Sequence, residues 1–238
     1  MKALEEIAAH VRASVHVALS KARRAGWHVV RGDLMELADG LRQATECGRE
    51  PYARIVRARS SDDDVQVLRP RTEQQAPARS LSGQFGSGAF PFHTDGAHLD
   101  MPPDFVLLAA KSTGARDVPT HLLRFPVPHP SLEINEDMRL GVFRVDAGTN
   151  GFYRVGQFAD GLSRDCVRFD PGCMSPVDPR ARRLAHAISS SSPDYSHIWR
   201  DPREILIVDN HHVLHARDDA SAAQDRELHR LLLSGVGV

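Results

Sequence analysis

The sequence predicts a mainly β protein with flanking helices, of the sandwich, jelly-roll or barrel class. From Tyr52 onward, short apolar and β-branched runs alternate with Pro, Gly and Asp. Only one strong helical segment, RARRLAHAI at 180–188, interrupts these runs, and no internal repeat is visible. Many short strands with turn signals and few helices are typical of these antiparallel architectures.

Ten segments have the length and composition of β-strands. In chain order they are YARIVRA, VQVL, FVLLAAKS, PTHLL, GVFRVDA, FYRVGQF, CVRF, EILIVD, HHVLHA and ELHRLLLSG. Two stretches between them are predicted as loops near the functional site. Residues 70–92 are rich in Gly, Ser, Pro and Gln and lead into a polar motif, and residues 124–137 are the candidate lid.

The N-terminal region, residues 1–50, is predicted to be a helical packing region. One face of a first amphipathic helix is formed by Leu4, Ile7, Val11, Val15 and Leu19. Gly26 ends this helix, and a short strand-like run, WHVV, follows. Asp33 is placed to cap a second helix through LMELADGLRQATE, with Gly48 beyond its end.

The chain length suits a single domain covering residues 1–238, with residues 51–238 as the β core. The formal net charge is −1, from 30 basic and 31 acidic residues, and no dense Lys/Arg block marks a nucleic-acid face. The partner expected on these grounds is a small molecule.

Cys47, Cys166 and Cys173 have no CxxC spacing and are read as reduced thiols. The first residues lack the apolar core of a signal peptide, and no apolar run reaches the roughly 20 residues of a membrane span. We therefore expect a cytoplasmic protein that makes no membrane contact.

The segment AFPFHTDGAH places His93 and Asp95 one residue apart. On a strand both side chains point to the same face, while Thr94 points to the other. An imidazole and a carboxylate at this spacing suit a first-row transition metal better than Ca²⁺ or Mg²⁺. Taken alone, this pair is more often part of a surface loop than of a metal site.

A third ligand is predicted in the distal segment EILIVDNHHVLHAR, where a strand, a turn and a second strand deliver His215. His211 has the same strand parity, so spacing alone leaves the choice between them open, and the VLHAR context favours His215. Two histidines and one carboxylate leave positions open for a co-substrate and O₂, as in non-haem Fe(II) oxygenases.

The motifs FHTDGAH, VPTHLL, VDNHHVLHAR and RELHR, in this order, resemble the taurine dioxygenase / clavaminate synthase-like family of Fe(II)/2-oxoglutarate oxygenases. The resemblance covers roughly residues 80–125 and 195–238. It implies a double-stranded β-helix, a distorted jelly roll, with iron held by His93, Asp95 and His215 at one mouth.

The resemblance also implies roles for residues around the metal. Thr120 and Arg226 correspond to the residues that bind the distal carboxylate of 2-oxoglutarate, and a guanidinium is suited to that anion. Arg230 corresponds to an arginine on the substrate side. His98, just after the HTDG turn, is a further candidate for contact with the substrate.

The activity implied is that of a dioxygenase that uses O₂ and 2-oxoglutarate and releases succinate and CO₂. It would hydroxylate, desaturate or cyclise at an unactivated carbon of a small molecule such as an amino acid or small acid. The carboxylate of Asp95 argues against halogenation, because related halogenases have a small residue at that position. Two alternatives stay open: a cupin-like metalloenzyme that does not use 2-oxoglutarate, and an inactive small-ligand-binding β-barrel.

Overall fold

The computed structural model describes residues 15–46, 53–59, 61–76, 80–112, 117–147, 150–160 and 165–235. Within these ranges the chain is mainly β, with antiparallel sheets and a smaller number of helices, as predicted. The predicted strands recur in the structure, although FYRVGQF is divided into two strands at Gly156.

The N-terminal region begins, within the described residues, with helix α1 over 15–25. Gly26 ends it with φ of 87°, a conformation that glycine adopts without strain. Strand β1 (Trp27–Arg31) and helix α2 (Leu34–Glu46) follow, and Asp33 Oδ1 caps α2 by accepting from the backbone N–H of Met35 at 2.7 Å. The predicted positions Leu4, Ile7, Val11 and Gly48 lie outside the described residues.

A six-stranded antiparallel sheet forms the larger layer. Its strands, in spatial order, are β1, β13 (Glu204–Asp209), β5 (Phe105–Ser112), β15 (Glu227–Gly235) and β2 (Ala53–Val56), with β3 (Val65–Leu68) also paired to β15. Residues far apart in sequence therefore become neighbours, and β15 lies beside three other strands of this sheet.

A four-stranded sheet carries the candidate site. Its order is β12 (Tyr195–His197), β6 (Thr120–Arg124), β14 (Val213–Arg217) and β4 (Phe90–His93). Two smaller sheets complete the described architecture. They are β11 (Met174–Pro176) with β7 (Val142–Ala147) and β8 (Asn150–Val155), and β9 (Gln157–Ala159) with β10 (Asp165–Val167).

Strand β5 shows how the layers are held together. Phe105 and Leu107 pack towards α1 and α2, whereas Val106 and Leu108 pack into the cluster that contains Leu122 of β6. Because successive side chains of a strand point to opposite faces, a strand buried on both faces must be apolar at every position. This explains why FVLLAA lacks the alternation of an exposed strand.

The predicted lid at 124–137 is partly wrong, because its second half belongs to helix α4 (Leu132–Leu140). Ser131 caps the helix by accepting from the backbone N–H of Ile134 at 3.4 Å. Asp137 is fully buried and receives two hydrogen bonds from Arg183 of helix α5 (Pro179–Ser189), at 3.0 and 2.5 Å. Helix α4 is mostly polar in sequence and was therefore not predicted. The ion pair between Asp137 and Arg183 holds it against α5.

The described residues of the stretch 70–92, which was predicted as a loop, include regular structure. It contains a 3₁₀ turn (Glu73–Gln75), helix α3 (Leu81–Phe85) and the start of β4 at Phe90. Ser80 caps α3 through its side chain, which accepts from the backbone N–H of Gly83 at 3.1 Å. Among the helices that the structure describes, none combines the length and apolarity that crossing a membrane requires.

Replacing Phe105 by Ala is expected to lower the free energy of unfolding by about 3–5 kcal/mol, because its ring is fully buried between β5 and the helices. Urea denaturation followed by circular dichroism measures this change. Val67, which is 46% exposed on β3, provides the control, and Val67→Ala should change stability by no more than about 0.5 kcal/mol. Equal effects of the two substitutions would contradict the assigned packing.

Candidate metal centre

Three predicted ligands converge where β4 and β14 pair. His93 ends β4, and His215 lies directly opposite it in the middle of β14. One ligand atom from each of His93, Asp95 and His215 lies within 4.8 Å of the other two, and all three residues are buried. The two imidazole rings are 4.1 Å apart between centroids. The paired strands thus bring together residues separated by more than a hundred positions.

Asp95 reaches the site from a turn and not from a strand, because β4 ends at His93. Asn210, in the turn between β13 and β14, holds the Asp95 backbone on both sides. Its Oδ1 accepts from the Asp95 N–H at 2.9 Å, and its Nδ2 donates to the carbonyls of Asp95 at 3.0 Å and Pro103 at 2.8 Å. We call this arrangement the Asn210 clasp.

The residues beside Asp95 keep the turn in place. Thr94 points away from the site, as predicted, and its hydroxyl exchanges hydrogen bonds with the backbone N–H and carbonyl of Phe169 at 3.0 and 3.1 Å. Gly96 has φ of 68°, and a Cβ there would lie 2.7 Å from Pro103 Cδ. Only glycine therefore fits the position that follows the carboxylate.

Both imidazoles are prepared to donate a lone pair. His93 Nδ1 lies 3.0 Å from the Pro91 carbonyl, which fixes the hydrogen on that nitrogen and leaves the lone pair on Nε2. Burial, reinforced by the charge of His93, lowers the pKa of His215 to about 3, so this ring is neutral at ordinary pH. Neutral histidines are the form that binds metals.

The surroundings of the Asp95 carboxylate give the strongest sign that the donor set fits a cation. Burial raises the pKa of Asp95, but the charge of Arg230 and the interactions with the His215 and His93 rings outweigh that effect and lower it overall. Oδ1 accepts a short hydrogen bond from Arg230 Nη1. Oδ2 is buried with no hydrogen-bond partner among the described residues, 3.6 Å from His215 Nε2. A divalent cation would satisfy that oxygen, so the donor set fits a metal.

Arg230 lies on β15 and bridges the triad to the larger sheet. Besides Asp95, it binds the side-chain oxygen of Gln66 on β3, with Nε donating at 3.0 Å. Its side chain is 20% exposed, so this predicted cation is partly accessible to solvent. Arg226 lies one residue before β15 begins and is not part of that strand.

Thr120, Arg226 and Arg217 form a second group, which we call the anion pocket. Thr120 and Arg226 are buried, and Arg217 pairs with Thr120 across β14 and β6. Arg226 donates only a long bond of 3.4 Å to the Val118 carbonyl, and it has no ion pair with a carboxylate in the parts of the chain that the structure describes. Burial, together with the charge of Arg217, lowers the pKa of Arg226 to about 10.

Arg217 was missed in the sequence, although a signal was present. It lies two residues after His215, and residues two apart on a strand point to the same face. Its Nη2 donates to the carbonyls of Ser87 and Gly88 at 3.1 and 2.5 Å, and its guanidinium carbon lies 3.8 Å from the centroid of the Phe90 ring. These contacts fix the cation in the anion pocket.

Asp170 was also missed, and nothing in the sequence marks it. It follows Phe169, the residue that binds Thr94, and its carboxylate interacts electrostatically with both His93 and Asp95. Burial raises its pKa, and the charge of His93 opposes this shift. Its Oδ1 accepts from the backbone N–H of Gly172 at 2.7 Å. An acidic group therefore stands beside the triad on the side of β10.

The remaining predicted residues lie further from the triad. His98 is partly buried, and its Nε2 lies 3.3 Å from the Ala58 carbonyl. His211, the alternative to His215, lies outside the triad, with Nε2 3.0 Å from the Pro102 carbonyl. It belongs instead to a separate group with Asp160 and Cys166.

No protein-family model matches the chain. Solved structures of similar fold include asparagine oxygenase in complex with Fe(II), 2S,3S-3-hydroxyasparagine and succinate. The TM-score is 0.65 at 21% sequence identity, over 92% of this chain and 79% of that one. A second is the non-haem iron oxygenase OrfP in complex with Fe and α-ketoglutaric acid, with a TM-score of 0.65 at 18% identity over 98% and 83% of the two chains.

A third similar structure is PvcB of Pseudomonas aeruginosa, described as an Fe, α-ketoglutarate dependent oxygenase from an isonitrile synthetic pathway. It has a TM-score of 0.60 at 18% identity, over 89% of this chain and 76% of its own. These comparisons establish the fold. The chain has the jelly-roll fold of these oxygenases, and the predicted double-stranded β-helix is confirmed.

Replacing Asn210 by Ala is expected to weaken Fe(II) or Co(II) binding by about 10- to 100-fold, because the clasp orients the Asp95 turn. Anaerobic metal titration measures the affinity. Asn135 is a matched control, since its side chain holds the backbone N–H and carbonyl of His129 in the same way. Asn135→Ala should leave metal affinity unchanged, and unchanged affinity in Asn210→Ala would refute a role for the clasp.

Proposed function

We propose that this chain is a non-haem Fe(II)- and 2-oxoglutarate-dependent oxygenase that acts on a small molecule. The observation that carries the proposal is a facial set of two histidines and one carboxylate beside an anion pocket with a buried arginine. Such a set with open positions is typical of mononuclear iron oxygenases. The fold shared with asparagine oxygenase and OrfP adds support by analogy.

The protein's own residues would bind and orient the reactants. His93, Asp95 and His215 would hold Fe(II) from one side, and the Asn210 clasp would keep the carboxylate in place. Arg226 would bind the distal carboxylate of 2-oxoglutarate. Fe(II) bound there would supply O₂ activation and, with 2-oxoglutarate as the electron donor, oxidation of a C–H bond with release of succinate and CO₂.

Thr120 would add a hydroxyl donor to the same distal carboxylate, and Arg217 a second positive charge. Burying two cations close together costs free energy unless an anion meets them. Arg226 lacks such an anion within the described residues, and Arg217 is attracted to Asp219. The buried charge of Arg226 favours a 2-oxoglutarate pocket over a cupin-like metal site, which needs no such pocket. An inactive barrel has no evident need for an intact triad beside it.

We further propose an amino acid as the substrate, because the two sides of the triad carry opposite charges. Arg230 on β15 is suited to a substrate carboxylate, and Asp170 is suited to an ammonium group. Asparagine oxygenase and OrfP have been crystallised with 3-hydroxyasparagine and (3S)-hydroxy-L-Arg, respectively. His98 remains a candidate at the edge of this space, and a cytoplasmic location remains a prediction.

Anaerobic protein loaded with Fe(II) should bind 2-oxoglutarate, and on admission of air it should produce succinate. Arg226→Met should raise the KM for 2-oxoglutarate by at least about 30-fold, because an interaction with a buried charge is lost. Arg69→Met is the control, since Arg69 is exposed and pairs with Glu227. Steady-state succinate assays give these values.

The same preparation tests the metal ligands. His93→Ala should lose Fe(II) binding, whereas His186→Ala, on the exposed side of α5, should retain it. Wild-type protein that binds Fe(II) but forms no succinate from 2-oxoglutarate with any of the free amino acids or small acids supplied would refute the oxygenase proposal.

Asp170→Asn should raise the KM for the amino-acid substrate by about 10-fold or more while leaving the KM for 2-oxoglutarate within twofold, since only the ammonium contact is lost. A screen of free amino acids by O₂ uptake identifies the substrate. Its N-acetyl derivative should be a poor substrate for the wild type. Full activity on the N-acetyl derivative, or an unchanged KM in Asp170→Asn, would count against amine recognition by Asp170.

A further inference from the structure

The indole of Trp199 contacts one member of the anion pocket, Thr120. Trp199 follows β12, is only 3% exposed, and packs in the cluster that contains Leu122 and Leu206. Its Nε1–H donates a buried hydrogen bond of 3.1 Å to the hydroxyl of Thr120. A buried indole N–H needs an acceptor, and here the Thr120 hydroxyl is that acceptor.

This hydrogen bond determines what the Thr120 hydroxyl can do. A hydroxyl has one hydrogen to donate and two lone pairs with which to accept. Because the indole N–H occupies a lone pair, the hydroxyl hydrogen is directed elsewhere. The described residues show no acceptor for that hydrogen, so Thr120 presents it to the pocket.

The surroundings of Trp199 hold its ring in this position. His197 pairs with Thr120 in the β12–β6 register, and its imidazole meets the Trp199 ring edge-on, with centroids 4.4 Å apart at 85°. His197 is also buried, and its Nε2 lies 3.5 Å from Glu204 on the neighbouring sheet. The indole is thus fixed by both sheets, which limits its freedom to turn away from Thr120.

The same pocket is positively charged. Arg217 is the cross-strand partner of Thr120, and the positive charge of Arg217 contributes to the lowered pKa of Arg226. A hydroxyl that donates into a space bordered by two guanidinium groups is suited to an anion and not to a cation.

We propose that Trp199 is a positioning residue that orients the Thr120 hydroxyl as a donor to the distal carboxylate of 2-oxoglutarate. The inference rests on the proposed function and deepens it. It states that a buried indole, which does not line the pocket, contributes to the preference for a keto acid with a second carboxylate. Trp199 acts through Thr120 and does not touch the co-substrate.

The test measures binding of two keto acids to anaerobic Fe(II)-loaded protein by calorimetry. One is 2-oxoglutarate, and the other is 2-oxopentanoate, which has the same keto-acid end but no distal carboxylate. Trp199→Phe keeps a packed aromatic ring and removes the N–H. It should weaken 2-oxoglutarate binding by about 5- to 10-fold, in the range of one neutral hydrogen bond, and leave 2-oxopentanoate binding within twofold.

Thr120 provides the second arm of the experiment. Thr120→Val should weaken 2-oxoglutarate binding at least as much as Trp199→Phe, and the double variant should be no weaker than Thr120→Val alone. Thr120→Ser, which restores the hydroxyl, should recover most of the affinity. Multiplicative effects in the double variant would show that the two residues act independently and would overturn the proposal.

The chain has two tryptophans, so Trp27 is a matched control. Trp27 stacks on Tyr195 at 5.4 Å, and Trp27→Phe should bind both keto acids as the wild type does. Equal weakening of both keto acids by Trp199→Phe would indicate a general structural effect and would also overturn the proposal.

The failure of the proposed function is distinguishable from the failure of this inference. A wild type that does not bind 2-oxoglutarate refutes both. A wild type that binds it, together with a Trp199→Phe variant that binds it equally well, refutes only the role of Trp199. Circular dichroism melting of each variant verifies that the compared proteins are folded.

Discussion

The Asn210 clasp is the interaction on which the rest of the site depends. It joins the turn after β4 to the turn between β13 and β14, and so fixes Asp95 relative to the strands that carry His93 and His215. The neighbouring Asp209 is fully buried and pairs with Arg23 of α1 at 2.5 Å. A chain of buried polar contacts therefore runs from the N-terminal helix to the carboxylate. Buried networks of this kind stabilise one arrangement because any broken contact leaves an unsatisfied group.

The site has two parts, the triad and the anion pocket, which differ in charge. At the triad, the Asp95 carboxylate has Arg230 on one oxygen and no hydrogen-bond partner from the described residues on the other. In the anion pocket, the buried Arg226 lies close enough to the half-buried Arg217 to interact with its charge. Burial lowers the pKa of each arginine to about 10, because removing a positive charge from water costs free energy. A bound anion would reduce that cost. The triad thus favours a cation and the anion pocket an anion. A metal ion and a dicarboxylate would supply these two charges.

Much of this arrangement could be predicted from the sequence, because strands are revealed by composition and ligands by residue type. The β-strand pattern and the candidates His93, Asp95 and His215 came from such local signals, and the structure brings the three residues together. Asn210 was read only as a turn residue, since its partners lie more than a hundred positions away. Asp170 was missed because its partners His93 and Asp95 lie far from it in the sequence. Helix α4 was missed because its apolar face is narrow, with Met138 in the core and Asp137 held by an ion pair with Arg183.

Strand β15 has a consequence for how the protein is made. It pairs with β5, β2 and β3, three strands of its sheet that are synthesised more than a hundred residues earlier. Arg230 lies within this strand and Arg226 just before it. Until that segment leaves the ribosome, β5 lacks one neighbour and the triad lacks its arginine. Both arginines therefore join the site late in synthesis, after His93 and Asp95 have emerged, and β5 lacks its β15 neighbour while the residues between the two strands are made.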